Sequence, residues 1–183
     1  MGSKVNVLPI VSGHFATLRD FRTGKISALD LLTQIGIPCA VGVVAWLVDL
    51  KFAGVYANII AALAIVFGFA FAVTVFVFQL RMQMAEMQIS SESQDRVAEI
   101  APQIDTRAPT LVNELFANCL YATLLSGVAT LLACSIEPLA WQRPGDWALT
   151  AVIAHLILVL MMCFKRLNSA FLKVSDFTRL NRR

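Results

Sequence analysis

Apolar and polar positions alternate along this chain in long blocks, giving four hydrophobic stretches divided by polar segments. The most decisive block runs from Phe52 to Leu80, FAGVYANIIAALAIVFGFAFAVTVFVFQL, with no Asp, Glu, Lys or Arg between Lys51 and Arg81. A helix rises about 1.5 Å per residue and a bilayer's hydrocarbon core is about 30 Å thick, so roughly 20 apolar residues cross it. This block is longer, and the polar, Met-rich sequence after it predicts a helix that continues into water, with Leu80, Met84 and Met87 at helical spacing. A first span is predicted from about Ile26 to Leu50, opened by Ser27 three residues before Asp30, a carboxylate near the positive end of the helix dipole. Pro38 inside it predicts a kink, because it removes a backbone donor and crowds the preceding turn. A third span is predicted from about Pro109 to Cys134, with proline suited to a first helical turn, and a fourth from about Trp147 to Phe164.

The flanks complete the expected organisation. Residues 1–25 carry Lys4, Arg19, Arg22 and Lys25 around Phe15, Leu18 and Phe21, which predicts a short amphipathic helix lying on the lipid surface. The four-helix domain then covers 26–164 and includes a connector, 81–108, in which Val97, Ile100 and Ile104 predict a second short amphipathic piece. Residues 165–183 read as a basic amphipathic tail with Lys165, Arg166, Lys173 and Arg179 as membrane-surface cations and Phe171, Val174 and Phe177 as its apolar side. Apart from Lys51 and Arg143, every Lys and Arg flanks the same end of the spans. The positive-inside rule therefore puts both termini and the connector in the cytoplasm, while Trp46, Tyr56, Trp141 and Trp147 mark an aromatic belt at the other end. The expected fold is an all-α membrane protein with four transmembrane helices, N-in and C-in, and cytoplasmic helical extensions.

Composition agrees: 58% hydrophobic residues and a mean hydropathy of +0.72 exceed what a soluble domain carries. The net charge of +3 would invite a nucleic-acid reading, but the basic residues sit beside the apolar blocks, so the expected contact is membrane lipid and direct nucleic-acid binding is not indicated. Cys39, Cys119, Cys134 and Cys163 are spaced singly, with no CxxC pair and no His at ligand spacing, and are read as small buried hydrophobes rather than metal ligands. No phosphate-binding GxxxxGK[ST] loop, HExxH or nucleophile elbow occurs, so neither an enzyme nor a cofactor is expected.

At about 100° per residue, span three places Glu114, Asn118, Ala122, Ser126, Ala129 and Ala133 on one face, with Tyr121 beside it. A carboxylate facing lipid costs about 3 kcal/mol at mid-bilayer, so Glu114 is expected to face protein or water. Two readings stand: Glu114 pairs with Lys165, Arg166 or a first-segment Arg, or it lines a pore. Span two carries a small-residue face, Ala57, Ala61, Ala64, Gly68 and Ala72, expected to be a packing seam with a helix of this chain or of a neighbour. Span four places His155 deep in the bilayer, either as a neutral hydrogen-bonding residue or on a conduction path. Asp30 and Gln34, one turn apart in span one, are candidates to complete a polar vestibule with Glu114 and Arg166.

Three segments, ALAIVFGFAF, LVNELFANCLY and HLILVLMMCFKRLNSAF, together resemble small four-span bacterial inner-membrane proteins of phage-defence operons. In such operons a pore-like or membrane-bound effector is paired with a soluble signalling or sensing partner. The resemblance implies a homo-oligomer, a tetramer by preference, in the bacterial inner membrane. Three expectations stand: an oligomeric channel-like or membrane-disrupting effector, from the Glu114–Ser126 face and the span-two seam; a membrane anchor or sensor that recruits a cytosolic partner through 81–108 and the tail; and a small transporter. The last is weakest, because no inverted repeat or matched pair of broken helices is found.

Overall fold

A computed structural model describes residues 6–18, 28–94, 107–136 and 138–180. Five helices follow one another: α1 (Leu8–Ala16), α2 (Ala28–Leu47), α3 (Tyr56–Gln94), α4 (Arg107–Ile136) and α5 (Gln142–Leu180), with no strand among the described residues. Four of them contain windows long and apolar enough to cross a membrane, Leu29–Leu47, Tyr56–Gln83, Thr110–Ile136 and Gln142–Ser169. These coincide with the four expected spans. The expected continuation of the second span is present, since α3 runs on to Gln94, and α5 likewise runs on from Ser169 to Leu180. The expected amphipathic piece at Val97, Ile100 and Ile104 lies outside the described residues.

The long helices form a row rather than a closed bundle. Backbone approach runs from α3 to α4, from α4 to α5 and from α5 to α2, while α1 packs on α4. Two apolar clusters hold α3, α4 and α5 together. One gathers Val77 of α3, Val112, Leu115 and Cys119 of α4, and Val159 and Cys163 of α5. The other gathers Tyr56 and Leu63, Ala129, Ala133 and Ile136, and Leu149 and Leu156 at the opposite end. Because early α3 meets late α4 and late α3 meets early α4, these neighbours run antiparallel. The first cluster marks the basic end, where α2 and α4 begin; the second marks the tryptophan end.

Small residues set the close approaches. A Cβ on Gly42 would stand 3.0 Å from the Ala151 Cβ and 3.4 Å from the Trp147 carbonyl oxygen, so glycine there lets α2 lie against α5. At Gly145 the same atom would stand 2.7 Å from Ile136 Cγ1, which fixes the start of α5 against the end of α4. Trp46, Trp141 and Trp147 are exposed as an aromatic belt requires, but Tyr56 is buried, because its hydroxyl is held inside the protein.

α1 departs most from expectation. Instead of lying on lipid with its apolar face free, it presses His14 and the following Leu18 into the protein, leaving Val7 and Leu8 exposed. Docking on α4 satisfies those side chains better than a surface position, since His14 finds a hydrogen-bonding partner there.

Candidate functional site

The polar cluster runs from mid-span toward the basic end and begins with Pro38. Proline lacks an N–H, so the helical bond that would end on the Gln34 carbonyl is missing from α2. His155 of α5 fills the gap: its Nδ1 lies 2.9 Å from that carbonyl oxygen. A carbonyl only accepts, so Nδ1 carries the hydrogen and Nε2 is left to accept from the Tyr121 hydroxyl of α4 at 2.9 Å. One neutral imidazole thereby ties α2, α4 and α5 together. Of the two readings of His155, the hydrogen-bonding one matches this geometry.

Tyr121 carries the cluster to α1, its ring stacked on that of His14 with centroids 4.1 Å apart and planes 8° from parallel. His14 Nδ1 lies 2.8 Å from Asn118 Oδ1. The Thr17 hydroxyl stands 3.0 Å from the same oxygen and 2.7 Å from the His14 carbonyl, sharing its single hydrogen between them. His14 and Asn118 are both fully buried, yet His14 Nε2 and Asn118 Nδ2 reach no partner among the described residues. Each such atom costs about 1–3 kcal/mol of unrecovered hydration. Burial lowers the His14 pKa from 6.5 to about 4; the Asn118 bond opposes the shift, and the nearby His155 and Arg166 add to it.

Arg166 completes the arrangement. One guanidinium nitrogen pairs with the Glu114 carboxylate, and the other donates to the Thr17 carbonyl at 2.6 Å. Thr17 is the C-cap of α1, so a cation stands where the helix leaves its carbonyls unsatisfied and its dipole is negative. Glu114 is therefore paired as the first of its two readings had it. Ser126 is buried and donates to the Thr123 carbonyl at 2.9 Å within its own helix. Gln34 joins the cluster through its backbone carbonyl. Asp30 sits exposed in the first turn of α2. Of the surface cations, Lys165 is exposed, Arg166 is drawn into the cluster, and Lys173 and Arg179 fall on the continuation of α5.

A second polar contact, at the tryptophan end, was not foreseen. Asp146 is buried in the first turns of α5 and accepts from the Tyr56 hydroxyl at 2.5 Å and the Phe52 backbone N–H at 3.3 Å. It fastens the turn between α2 and α3 to the start of α5. Pro144 and Gly145 just before it marked the segment as loop, which hid the helix start.

The small-residue seam points away from the other helices: Ala57, Ala61, Ala64, Gly68 and Ala72 are all exposed, and a Cβ on Gly68 would meet nothing within 4 Å. α3 instead meets α4 through Leu63, Ala70, Val77 and the Thr74 hydroxyl, 3.0 Å from that of Thr123. Of the cysteines, Cys119 and Cys163 are buried as expected, but Cys39 and Cys134 are exposed, because they lie on outward faces of α2 and α4. Among the described residues no group of three His, Cys, Asp or Glu stands close enough to hold a metal ion. Comparison with protein-family models, with curated proteins and with solved structures gives no match.

Proposed function

We propose that this protein is a membrane-embedded anchor or sensor subunit that presents its basic end to a soluble partner. The observation carrying this reading is that α3 continues from Gln83 to Gln94 and α5 from Ser169 to Leu180, beyond the segments that suit the bilayer. At about 1.5 Å per residue each extension reaches roughly 16 Å past its span. The polar residues between mid-span and that end point the same way: Glu114, Asn118 and His155 are engaged with partners inside the chain, which suits a closed structural hub better than a water-filled lining. By the positive-inside rule the basic end faces the cytoplasm of a bacterial inner membrane, and in the phage-defence setting that the resemblance implies the partner is the soluble signalling protein.

A photo-crosslinking residue in place of exposed Glu86 tests this in cells. The expected product joins this chain to one defined soluble protein and disappears when residues 90–105 are deleted while the spans still insert. Adducts to lipid or to further copies of this chain alone would reject the reading.

A channel-like or membrane-disrupting effector remains the second reading, favoured by one observation. Only 17% of the span window of α3 is buried inside the chain, against 22% of those of α2 and α5 and 44% of that of α4, and its outward face carries the small-residue seam on which a neighbouring copy would sit. A conduit would then lie on the axis between copies. Dye flux from liposomes, abolished by Glu114→Ala in protein that stays folded and oligomeric, would bring this reading to the front.

A further inference from the structure

His14 is a fully buried imidazole on a short helix whose backbone packs on α4 and which is tied to α5 through Arg166. The groups facing it are Asn118 and Tyr121 from α4 and His155 and Arg166 from α5, and Arg166 in turn holds Glu114 of α4. Glu114 is the one carboxylate in this set, and its charge is committed to Arg166. A proton added to His14 therefore brings a positive charge beside a guanidinium with no counter-ion of its own. It also makes both ring nitrogens donors, while Nε2 faces no acceptor among the described residues.

We infer that α1 is a proton-released latch: protonation of His14 lifts α1 from α4 and uncovers Asn118, Tyr121 and the Glu114–Arg166 pair. Docked, His14 titrates at about 4, whereas in a released helix it returns to its ordinary 6.5. The released state thus binds more protons between these values, so docking is at full strength above pH 6.5 and weakens as pH falls toward 4. At pH 5 the docked-to-released ratio drops about 30-fold below its value at pH 7.5. The inference rests on the anchor reading only for its purpose, supplying the signal that such a sensor would answer: acidification of the compartment at its basic end.

Docking is measured without any partner or flux, so its failure and that of the anchor reading are separable. Spin labels on cysteines replacing exposed Ser12 and Asn113, in full-length protein freed of its native cysteines and held in lipid nanodiscs, report the distance from α1 to α4. At pH 7.5 one narrow distance is expected. At pH 5 a longer, broader population should rise about 30-fold relative to the docked one, and H14Q should show no pH response. A distribution unchanged between these pH values overturns the latch, as does a pH response that persists in H14Q. Should the glutamine fail to seat, the otherwise native chain decides: the imidazole NMR titration of His14 must share its midpoint with the distance change, and separate midpoints overturn the proposal.

Discussion

At the scale of single residues, the most instructive relation is between Pro38 and His155. Proline orphans the Gln34 carbonyl, and the imidazole repairs it from another helix at 2.9 Å. His155→Leu removes this donor and also the acceptor of the Tyr121 hydroxyl, so it should destabilise the protein by about 1–3 kcal/mol. Pro38→Ala restores an N–H that can bond Gln34 within α2. The cost of His155→Leu should therefore shrink by about 1 kcal/mol in a Pro38→Ala background, a coupling that denaturant unfolding of the two single variants and the double variant measures. Equal costs in both backgrounds would mean the carbonyl does not depend on the imidazole. The sequence marked both residues as unusual, a proline in a span and an imidazole deep in one. What it did not carry was their association, because the Gln34 carbonyl that Pro38 orphans stands 121 positions from His155 and meets it only through the packing of α2 on α5. Asp146 was hidden for a related reason: its carboxylate bonds Tyr56, 90 positions away.

At the scale of elements, the spans were legible because lipid imposes a length and excludes charge, constraints that act locally along the chain. α1 was not legible in the same way. Val11, His14 and Leu18 follow helical spacing and make a short apolar stripe with one imidazole, a pattern that fits a lipid surface as well as a protein groove. Arg166 decides the outcome, since it joins Glu114 and the last turn of α1 at once. Arg166→Glu should cost about 3 kcal/mol or more, because it sets two carboxylates together in a partly buried place. Exchanging the pair, Glu114→Arg with Arg166→Glu, should recover the α4–α5 contact and most of that loss. It should not recover α1, because a glutamate at 166 has no donor for the Thr17 carbonyl. Thermal unfolding should thus show rescue while hydrogen exchange over 8–16 stays fast. Slow exchange in the exchanged pair would show that α1 is held without Arg166.

At the scale of the whole molecule, the row order α3, α4, α5, α2 leaves the two outer helices with broad faces toward the surroundings. On α2 that face is Leu29, Leu32, Val43, Val44 and Leu47, large side chains that lipid accommodates readily. On α3 it combines Phe69 and Phe76 with the seam of Ala57, Ala61, Ala64, Gly68 and Ala72. In a bilayer, helices gain little from hiding apolar surface and associate where small residues let backbones approach, so two copies of this chain would meet at the seam rather than at the face of α2. Gly68→Leu separates folding from assembly, since its added side chain starts in open space within one chain. The variant should keep the unfolding behaviour of a single chain yet shift native mass spectra in mild detergent from oligomer to monomer. An unmodified chain that is already monomeric in several mild detergents would leave the seam to lipid. A Gly68→Leu chain that assembles as before would move any interface elsewhere on the row.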